Sequence, residues 1–211
     1  MEPFKSAIST DLIHLTGRLL ARQVPGVEPA GFAAPLIAQL LDLELKHRVV
    51  LVAEALHGAL SGDPDTRRSA ILAMLHPDDM AHWNGDSTEE GLCGWGIWPL
   101  TTLIGDHGLG STEMALETLK EITKRGTSEF DVRPFIAADP GQALPIIASW
   151  VGDPNHHVRR LVSEGTRPRL PWGIRLQGLV AAPAPIIPVL ERLRDDPSEY
   201  VRRSVANHLN D

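Results

Sequence analysis

The chain has 211 residues, 43% of them hydrophobic, and a formal net charge of −7. This length suffices for one large domain or two small ones, and the composition is that of a globular protein. No apolar run approaches the roughly 20 residues that a membrane-spanning helix needs, and the N-terminus lacks the layout of a signal peptide. The single cysteine excludes an internal disulfide and favours a reducing, cytoplasmic location.

The apolar residues follow helical periodicity along the chain. They recur at helical spacing over residues 35–60, and no segment alternates as a β-strand does. Residues 111–125 open with serine and threonine cap candidates and a glutamate, which predicts a helix there. Residues 140–150 and 185–194 begin with prolines, which suit a first helical turn. The pattern therefore predicts an all-α protein.

The second half of the chain repeats itself. Residues 152–165 align with residues 195–208 at an offset of 43, and both contain the pattern D-P-x-x-x-V-R-R. A weaker third copy lies at residues 128–135. Each copy follows an apolar helix, so the unit is a helix pair, as in α-solenoids of the HEAT type. We predict one continuous solenoid, with a helical cap and first repeats over residues 1–110 and further HEAT-like repeats over residues 111–211.

Charge is distributed unevenly. Residues 1–125 contain 10 Lys or Arg and 17 Asp or Glu, whereas residues 126–211 contain 10 of each, and all ten of those cations are arginine. Arginine binds phosphate oxygens through a rigid fork of N–H donors. The C-terminal half is therefore a candidate anion-binding region, although a set of structural Arg–Asp pairs explains the same composition.

The repeated pattern separates two kinds of arginine. HEAT repeats commonly contain a ladder in which an aspartate caps the second helix and an arginine six residues later reaches a neighbouring repeat. We therefore assign a structural role to Asp153, Arg159, Asp196 and Arg202. The arginines that follow, Arg160 and Arg203, point about 100° away around the helix. They are the better candidates for binding phosphate.

Glu164 is a lone carboxylate among four arginines in residues 158–172. It follows Arg160 by four residues, so an ordinary ion pair along the helix is one interpretation. Arginine before glutamate is the less favourable order, and the last turn of a helix disfavours an anion. These two details favour a functional role for Glu164.

The segments HHVRRLVSEGTRPRLPW and DDPSEYVRRSVANHLND, residues 156–172 and 195–211, closely resemble the DNA alkylation repair glycosylases of the AlkC type, relatives of AlkD. Matches at TSEFDVRPF, GWGIWPL and LELKHRVVLVAEAL extend the resemblance over nearly the whole chain. It implies a HEAT-like solenoid that cups DNA on its concave face. It also implies hydrolysis of the N-glycosidic bond of cationic N-alkylated bases, typically 3-methyladenine, without metal or cofactor.

The resemblance also implies roles for individual residues. Glu164 and Glu129 are the expected catalytic carboxylates, and Asp211 is a further candidate. Trp172 and Phe130 are expected to contact the lesion or its sugar, because an electron-rich ring attracts a cationic base; packing in the core is the alternative for both. Glu129 is placed at the start of a second helix, where a carboxylate also favours the helix dipole. The expected phosphate-binding residues are Arg160, Arg167, Arg169, Arg203, His156 and His157.

Other residues bear on metal binding, on the nucleophile and on packing. The histidines lack ligand spacing and Cys93 stands alone, so we expect no metal site. No lysine follows Lys124, which favours water over a Schiff-base amine as nucleophile. Trp95 and Trp98 are interpreted as packing residues of the N-terminal cap.

The expected partner is double-stranded DNA with alkylated bases, bound by a monomer, with no membrane. Members of this family usually continue beyond ANHLND, so we expect a truncated or naturally short member. Two other functions fit the same residues. A non-catalytic DNA-binding solenoid keeps the arginines but makes Glu164 dispensable. A protein–protein scaffold suits the acidic first half.

Overall fold

A computed structural model describes residues 4–77 and 85–211. These residues form α-helices, short 3₁₀ helices and turns, with no strand beyond two isolated bridges. The α-helices are α1 (Thr10–Ala21), α2 (Pro29–Leu40), α3 (Leu45–Ala59), α4 (Pro64–Ala73), α5 (Trp98–His107), α6 (Thr112–Thr123), α7 (Arg133–Ala138), α8 (Pro140–Ser149), α9 (His156–Gly165), α10 (Gln177–Ala181), α11 (Ile187–Leu193) and α12 (Glu199–Leu209). The 3₁₀ helices are Phe4–Ala7, Gly94–Ile97 and Trp150–Gly152. The predicted all-α class is confirmed.

The predicted helices occur with small shifts. Residues 35–60 belong to two helices, because α2 ends at Leu40 and α3 begins at Leu45. Ser111 caps α6 as predicted, accepting the N–H of Met114 at 3.1 Å. α8 begins at its predicted proline, whereas α11 begins two residues later than its pattern. None of the helices in the described ranges is long and apolar enough to cross a bilayer.

Neighbouring helices pack in pairs around one apolar core. α1 packs on α2, α3 on α5, α7 on α8, and α9 on α12. The core extends from Ile8 to Val205. Each fully buried Leu, Ile or Val stabilises the fold by about 1.5–3 kcal/mol. The predicted division at residue 110 stays a prediction, and residues 1–3 and 78–84 of its first part lie outside the described residues.

An Asp–Arg ladder joins adjacent helix pairs. Arg159 donates through Nε and Nη2 to the two oxygens of Asp196, at 2.6 and 2.9 Å. In the preceding step a lysine replaces the arginine, with Lys120 Nζ 3.6 Å from Asp153. Arg202 donates Nη1 to the carbonyl of Asp196 at 2.6 Å. The predicted ladder contact is confirmed for Arg159 and Asp196, whereas Arg202 binds the backbone of its own unit and Asp153 pairs with a lysine.

The predicted capping role of the two aspartates is wrong in detail. Asn155 is the N-cap of α9 and accepts the N–H of His157, while Asp153 accepts the N–H of Asn155 at 2.9 Å. Asp196 likewise accepts the N–H of Ser198, the N-cap of α12, at 2.8 Å. Each aspartate therefore fixes the N-cap residue of its helix. The same carboxylate can still pair with the basic residue of the ladder.

Candidate active site

Three carboxylates and two guanidiniums form a continuous chain of ion pairs. Arg160 contacts both Glu129 and Glu164, with its Nη2 3.6 Å from Glu164 Oε1. Arg167 donates Nη1 to Glu164 at 2.7 Å, and Nε and Nη2 to Asp211, both at 2.9 Å. The charges therefore alternate from Glu129 to Asp211. The structure brings all three predicted carboxylates into one network.

Glu129 lies in the turn before α7, not at the start of a helix as predicted, because α7 begins at Arg133. Ser128 ties this turn to α6. Its hydroxyl donates to an α6 carbonyl at 2.9 Å, and its N–H donates to Thr123 Oγ1 at 3.1 Å. Thr127 Oγ1 donates to Glu129 Oε2 at 2.7 Å. The carboxylate is thus held on a fixed turn, without a helix dipole to explain its presence.

A glycine allows α9 to approach that turn. A Cβ at Gly165 would lie 2.7 Å from Val132 Cγ2, so any larger residue would push the helix end away. The adjacent Glu164 is buried, with 5% of its surface exposed. Its Oε1 contacts the two arginines and its Oε2 accepts from Ser204 of α12 at 2.6 Å. Both oxygens of Glu164 are therefore engaged.

The three carboxylates differ in which of their oxygens already accept hydrogen bonds. Both oxygens of Asp211 accept from Arg167, and Oδ2 also accepts the Arg169 N–H at 3.3 Å. Burial raises the pKa of Asp211, but the Arg167 hydrogen bonds and charge outweigh it and leave the pKa below its usual value. Glu129 uses only Oε2, which accepts from Thr127 and Arg160. Its Oε1 has no hydrogen-bond partner among the described residues.

Glu129 also lines an aromatic cleft of about 150 Å³. Trp98 and Phe130 stack in its wall with ring centroids 5.3 Å apart, and Trp95 lies 5.6 Å from Trp98. Trp98 is buried, which confirms its predicted packing role. Trp95 was predicted to pack as well, but it is 45% exposed and lines the cleft. The cleft therefore joins electron-rich rings to a carboxylate.

Two glycines, Gly94 and Gly126, also line this cleft. The N–H of Gly94 donates to the carbonyl of Arg125 at 2.7 Å, and Gly94 has a φ of 53°. A Cβ at Gly126 would lie 2.6 Å from the Gly94 oxygen. The backbone crossing tolerates no side chain at Gly126, which accounts for glycine on both sides of it.

Asp131 occupies the same turn as Glu129 and is buried. Burial raises its pKa to about 7, and the charges of Asp106 and Glu129 act in the same direction, against hydrogen bonds from Thr101 and Thr102. Its Oδ2 has no hydrogen-bond partner among the described residues. At a pH near this value the Asp131 carboxyl is therefore partly protonated.

Trp172 lies on the loop between α9 and α10. It is 56% exposed and has a φ of 67°, a left-handed conformation that is uncommon for any residue except glycine. Its carbonyl accepts from Lys46 Nζ at 2.8 Å, and the same ammonium lies 5.9 Å from the ring centroid. Trp172 is therefore a surface aromatic that already contacts a cation, and not a core residue.

Arg133 holds the same loop from inside. Its side chain is fully buried, and its N–H groups donate to the carbonyls of Gly165, Arg167 and Ile174 at 2.7–2.9 Å. Burial lowers the pKa of Arg133 to about 10, so the guanidinium stays charged at neutral pH. The sequence aligned Arg133 with the ladder residue Arg159, but here the partners are carbonyls and not an aspartate. Repeat alignment therefore concealed its role.

Two of the predicted phosphate-binding arginines are committed to carboxylates. Arg160 and Arg167 are largely buried, and their donors are directed at Glu129, Glu164 and Asp211. The Arg160 guanidinium also lies 5.1 Å from the centroid of the Tyr200 ring. Both arginines therefore organise the carboxylates.

The remaining phosphate candidates occupy different environments. His157 is buried and burial lowers its pKa to about 4, so it is neutral at physiological pH. Burial also lowers the pKa of the half-buried His156. Arg203 is exposed and pairs with Glu199 at 2.8 Å. Arg169 is exposed, and its side chain has no carboxylate partner in residues 4–77 and 85–211.

Sequence reasoning missed several contributing residues, namely Thr127, Ser204, Tyr200, Lys46, Trp95 and Arg133. One signal was present: Tyr200 is the only tyrosine and aligns with His157 across the repeat. The two rings meet edge to face, with centroids 5.8 Å apart. Within the described ranges, no group of three or more side chains is arranged to hold a metal ion.

Comparisons with known proteins identify the fold. No family model matches the chain. Over 108 residues it is 46% identical to the protein named Uncharacterized protein YhaZ of Bacillus subtilis (strain 168), a match that covers 51% of the chain and 30% of that protein. The chain aligns over its whole length with the Pseudomonas fluorescens alkylpurine DNA glycosylase AlkC bound to DNA containing an abasic site analog. That match has a TM-score of 0.83 and 28% identity, and covers 55% of the AlkC chain. The resemblance to AlkC-type proteins and the predicted helical-repeat solenoid are confirmed.

Proposed function

We propose that this protein is a DNA glycosylase that hydrolyses the N-glycosidic bond of cationic N-alkylated bases, such as 3-methyladenine, in duplex DNA. The observation that carries the proposal is Glu129. Arg160 and Thr127 hold one of its oxygens, and the other has no partner among the described residues and belongs to a side chain that lines an aromatic cleft. Similarity to AlkC, whose solved complex contains an abasic site analog, supports the same class of reaction.

Hydrolysis of this bond requires little catalytic assistance from the protein. Alkylation of a ring nitrogen makes the base a cation and a good leaving group. When the C1′–N bond breaks, its electron pair cancels the charge on the base, and positive charge develops on the sugar. A carboxylate near that charge lowers the barrier. Water adds its oxygen to C1′ and releases a proton, which Glu129 Oε1 accepts. An abasic site and the neutral alkylated base remain.

The arginines hold the carboxylates in fixed positions. Arg160 and Arg167 are bonded to carboxylates on both sides, so the negative charges need no reorganisation as the sugar becomes cationic. Glu164 has both oxygens engaged, and we assign it a positioning role between the two guanidiniums. Asp211 is the far end of the same network.

Residues outside the network of carboxylates are proposed to contact DNA. We assign phosphate contacts to Arg169 and Arg203, whose guanidiniums are exposed, and contact with the lesion or its sugar to Trp172. Their exposed position suits a polyanion, because exposed ion pairs such as Arg203–Glu199 are weak and exchange readily. The monomeric state and cytoplasmic location stay predictions.

The test is release of free base. The purified chain is incubated with methylated duplex DNA, and 3-methyladenine and 7-methylguanine are quantified in the soluble fraction. We expect release of 3-methyladenine by the wild type and by Glu113→Gln, an exposed control, and its loss in Glu129→Gln. Absence of release by the wild type would contradict the proposal.

A DNA-binding solenoid without catalysis is the second candidate. The complete engagement of Glu164 and Asp211 favours it, because a fully paired carboxylate can serve structure alone. This candidate predicts that the wild type binds methylated duplex tightly and releases no base. In that case Glu129→Gln would bind as the wild type does.

A further inference from the structure

Trp172 occupies a position in a turn that usually contains glycine. The N–H of Gly173 donates to the Leu170 carbonyl at 3.2 Å, which closes a four-residue turn with proline in its second position. Trp172 is the third residue and has a φ of 67°, the sign that a type II turn requires there and that glycine or asparagine usually supplies. A tryptophan in this conformation is strained, and it persists only where surrounding groups hold it.

Lys46 holds the main chain of Trp172 from the other half of the protein. Its ammonium donates to the Trp172 carbonyl at 2.8 Å and lies 5.9 Å from the centroid of the indole ring. Hydrogen bonds from a charged donor are stronger than those between neutral groups. A single side chain of α3 therefore contacts both the main chain and the ring of Trp172, while the ring stays 56% exposed.

The position of Lys46 is explained neither by helix stability nor by an ion pair. It lies in the first turn of α3, the end of a helix that disfavours a cation. The chain has four lysines, and the other three, Lys5, Lys120 and Lys124, pair with carboxylates. Lys46 has no carboxylate partner in residues 4–77 and 85–211, where its ammonium is directed at Trp172.

We propose that Lys46 is a positioning residue for Trp172 and keeps the indole ring where it can contact the sugar at the lesion. Lys46 acts through the Trp172 carbonyl and does not touch the reacting atoms. This inference rests on the proposed function for the contact that Trp172 makes, and it adds the residue that keeps the ring in place.

The first measurement is made on the free protein. Fluorotryptophan is incorporated, and the fluorine NMR signal of Trp172 is assigned by its disappearance in Trp172→Phe. Lys46→Met removes the donor and the charge but keeps an unbranched side chain, so the Trp172 signal should shift or broaden. Lys46→Arg retains a charged donor and should keep the wild-type signal. Lys5→Met, which removes the same charge from a lysine paired with Glu44, is the control and should also keep it.

The second measurement is the ratio of two affinities, for a duplex with an abasic-site analog and for an intact duplex. Loss of one positive charge weakens both complexes alike, so its effect cancels in the ratio. Lys46→Met should lower the ratio by about tenfold, because a hydrogen bond from a charged donor no longer fixes the ring. Lys46→Arg should restore the ratio, and Lys5→Met should leave it unchanged. In a Trp172→Ala background Lys46→Met should lower it no further, because the two residues act as one unit.

The outcomes separate this inference from the glycosylase proposal. An unchanged Trp172 signal or an unchanged ratio in Lys46→Met would overturn the inference, as would an equal further loss in the Trp172→Ala background. A wild type with equal affinity for both duplexes would also overturn it, whether or not base is released. A ratio that depends on Lys46 through Trp172, without release of base by the wild type, would support the inference and count against the glycosylase.

Discussion

Glu129 and Glu164 contact the same guanidinium, that of Arg160, but only Glu129 keeps a carboxylate oxygen without a partner among the described residues. The shared cation fixes the two carboxylates relative to each other. The difference in their remaining oxygens is the basis on which we propose proton acceptance for Glu129 and positioning for Glu164.

The first prediction concerns these two carboxylates. Glu129→Gln should lower the single-turnover rate of base release by about 10²–10⁴-fold, because an amide cannot accept the proton from water. Glu164→Gln should have a smaller effect on that rate, since the amide keeps an oxygen for Arg167. Affinity for a duplex with an abasic-site analog should change little in either variant. A larger loss in Glu164→Gln would transfer the catalytic role to that residue.

The second prediction separates binding from structural arginines. Arg169→Gln should reduce the slope of log affinity against log salt by about one, since one phosphate contact is lost. Arg159→Gln should leave the slope unchanged. Its loss leaves Asp196 buried without its bidentate partner, so it should instead destabilise the fold by about 3 kcal/mol. Salt titrations of binding and urea unfolding of both variants check this pair, and a reduced slope in Arg159→Gln would contradict the assignment.

The third prediction is a pH dependence that Asp131 confers on stability. Its folded pKa of about 7 lies above the unfolded value of about 3.9. Between these values the folded state binds more protons than the unfolded state, so the contribution of Asp131 to stability falls as pH rises. Asparagine does not ionise, so the Asp131→Asn variant lacks this loss of stability with rising pH. The stability of the variant relative to the wild type should therefore increase from about pH 4 to pH 8, by on the order of 4 kcal/mol.

Urea unfolding of the wild type and Asp131→Asn across this range measures the difference directly. Other titrating groups, His157 among them, occur in both proteins and cancel. A difference that stays constant with pH would show that Asp131 has an ordinary pKa.

The fourth prediction concerns Arg133. Arg133→Gln should destabilise the protein by about 3 kcal/mol or more, because three carbonyls lose charged donors in a buried site. Arg133→Lys should recover part of this, since an ammonium keeps the charge but lacks the fork. The free energy of unfolding measures both. Equal stability of Arg133→Gln and the wild type would mean that the loop does not depend on this anchor.

Much of the fold was predictable from local pattern. Helical periodicity, the Ser111 cap and the D-P-x-x-x-V-R-R repeat are short-range signals, and the repeat correctly paired Arg159 with Asp196 of the next unit. Glu164 was singled out by its position among the arginines, and Glu129 and Asp211 were named from the family resemblance. Their convergence on Arg160 and Arg167 was not predictable, because it depends on how three separate elements pack.

The residues whose positions were not predicted from the sequence share one cause. Arg133 and Arg159 align in the repeat, but a backbone turn places Arg133 inside the protein and Arg159 at the ladder. Trp95 belongs to the 3₁₀ helix Gly94–Ile97 and Trp98 begins α5, and the packing around them leaves the first exposed and buries the second. Lys46 lies in the acidic half, where no local pattern linked it to Trp172. Tertiary packing decided each of these positions.

The hydrogen bond from Lys46 to Trp172 joins residues that are 126 positions apart in the chain. Repeats in a solenoid normally contact only their neighbours, so such proteins can fray from one end a unit at a time. A link of this range couples α3 to the loop after α9. Opening of either segment then removes a contact from the other, and amide hydrogens in both should exchange as one cooperative unit. The loop that contains Trp172 is thus held by a residue of α3 as well as by Arg133.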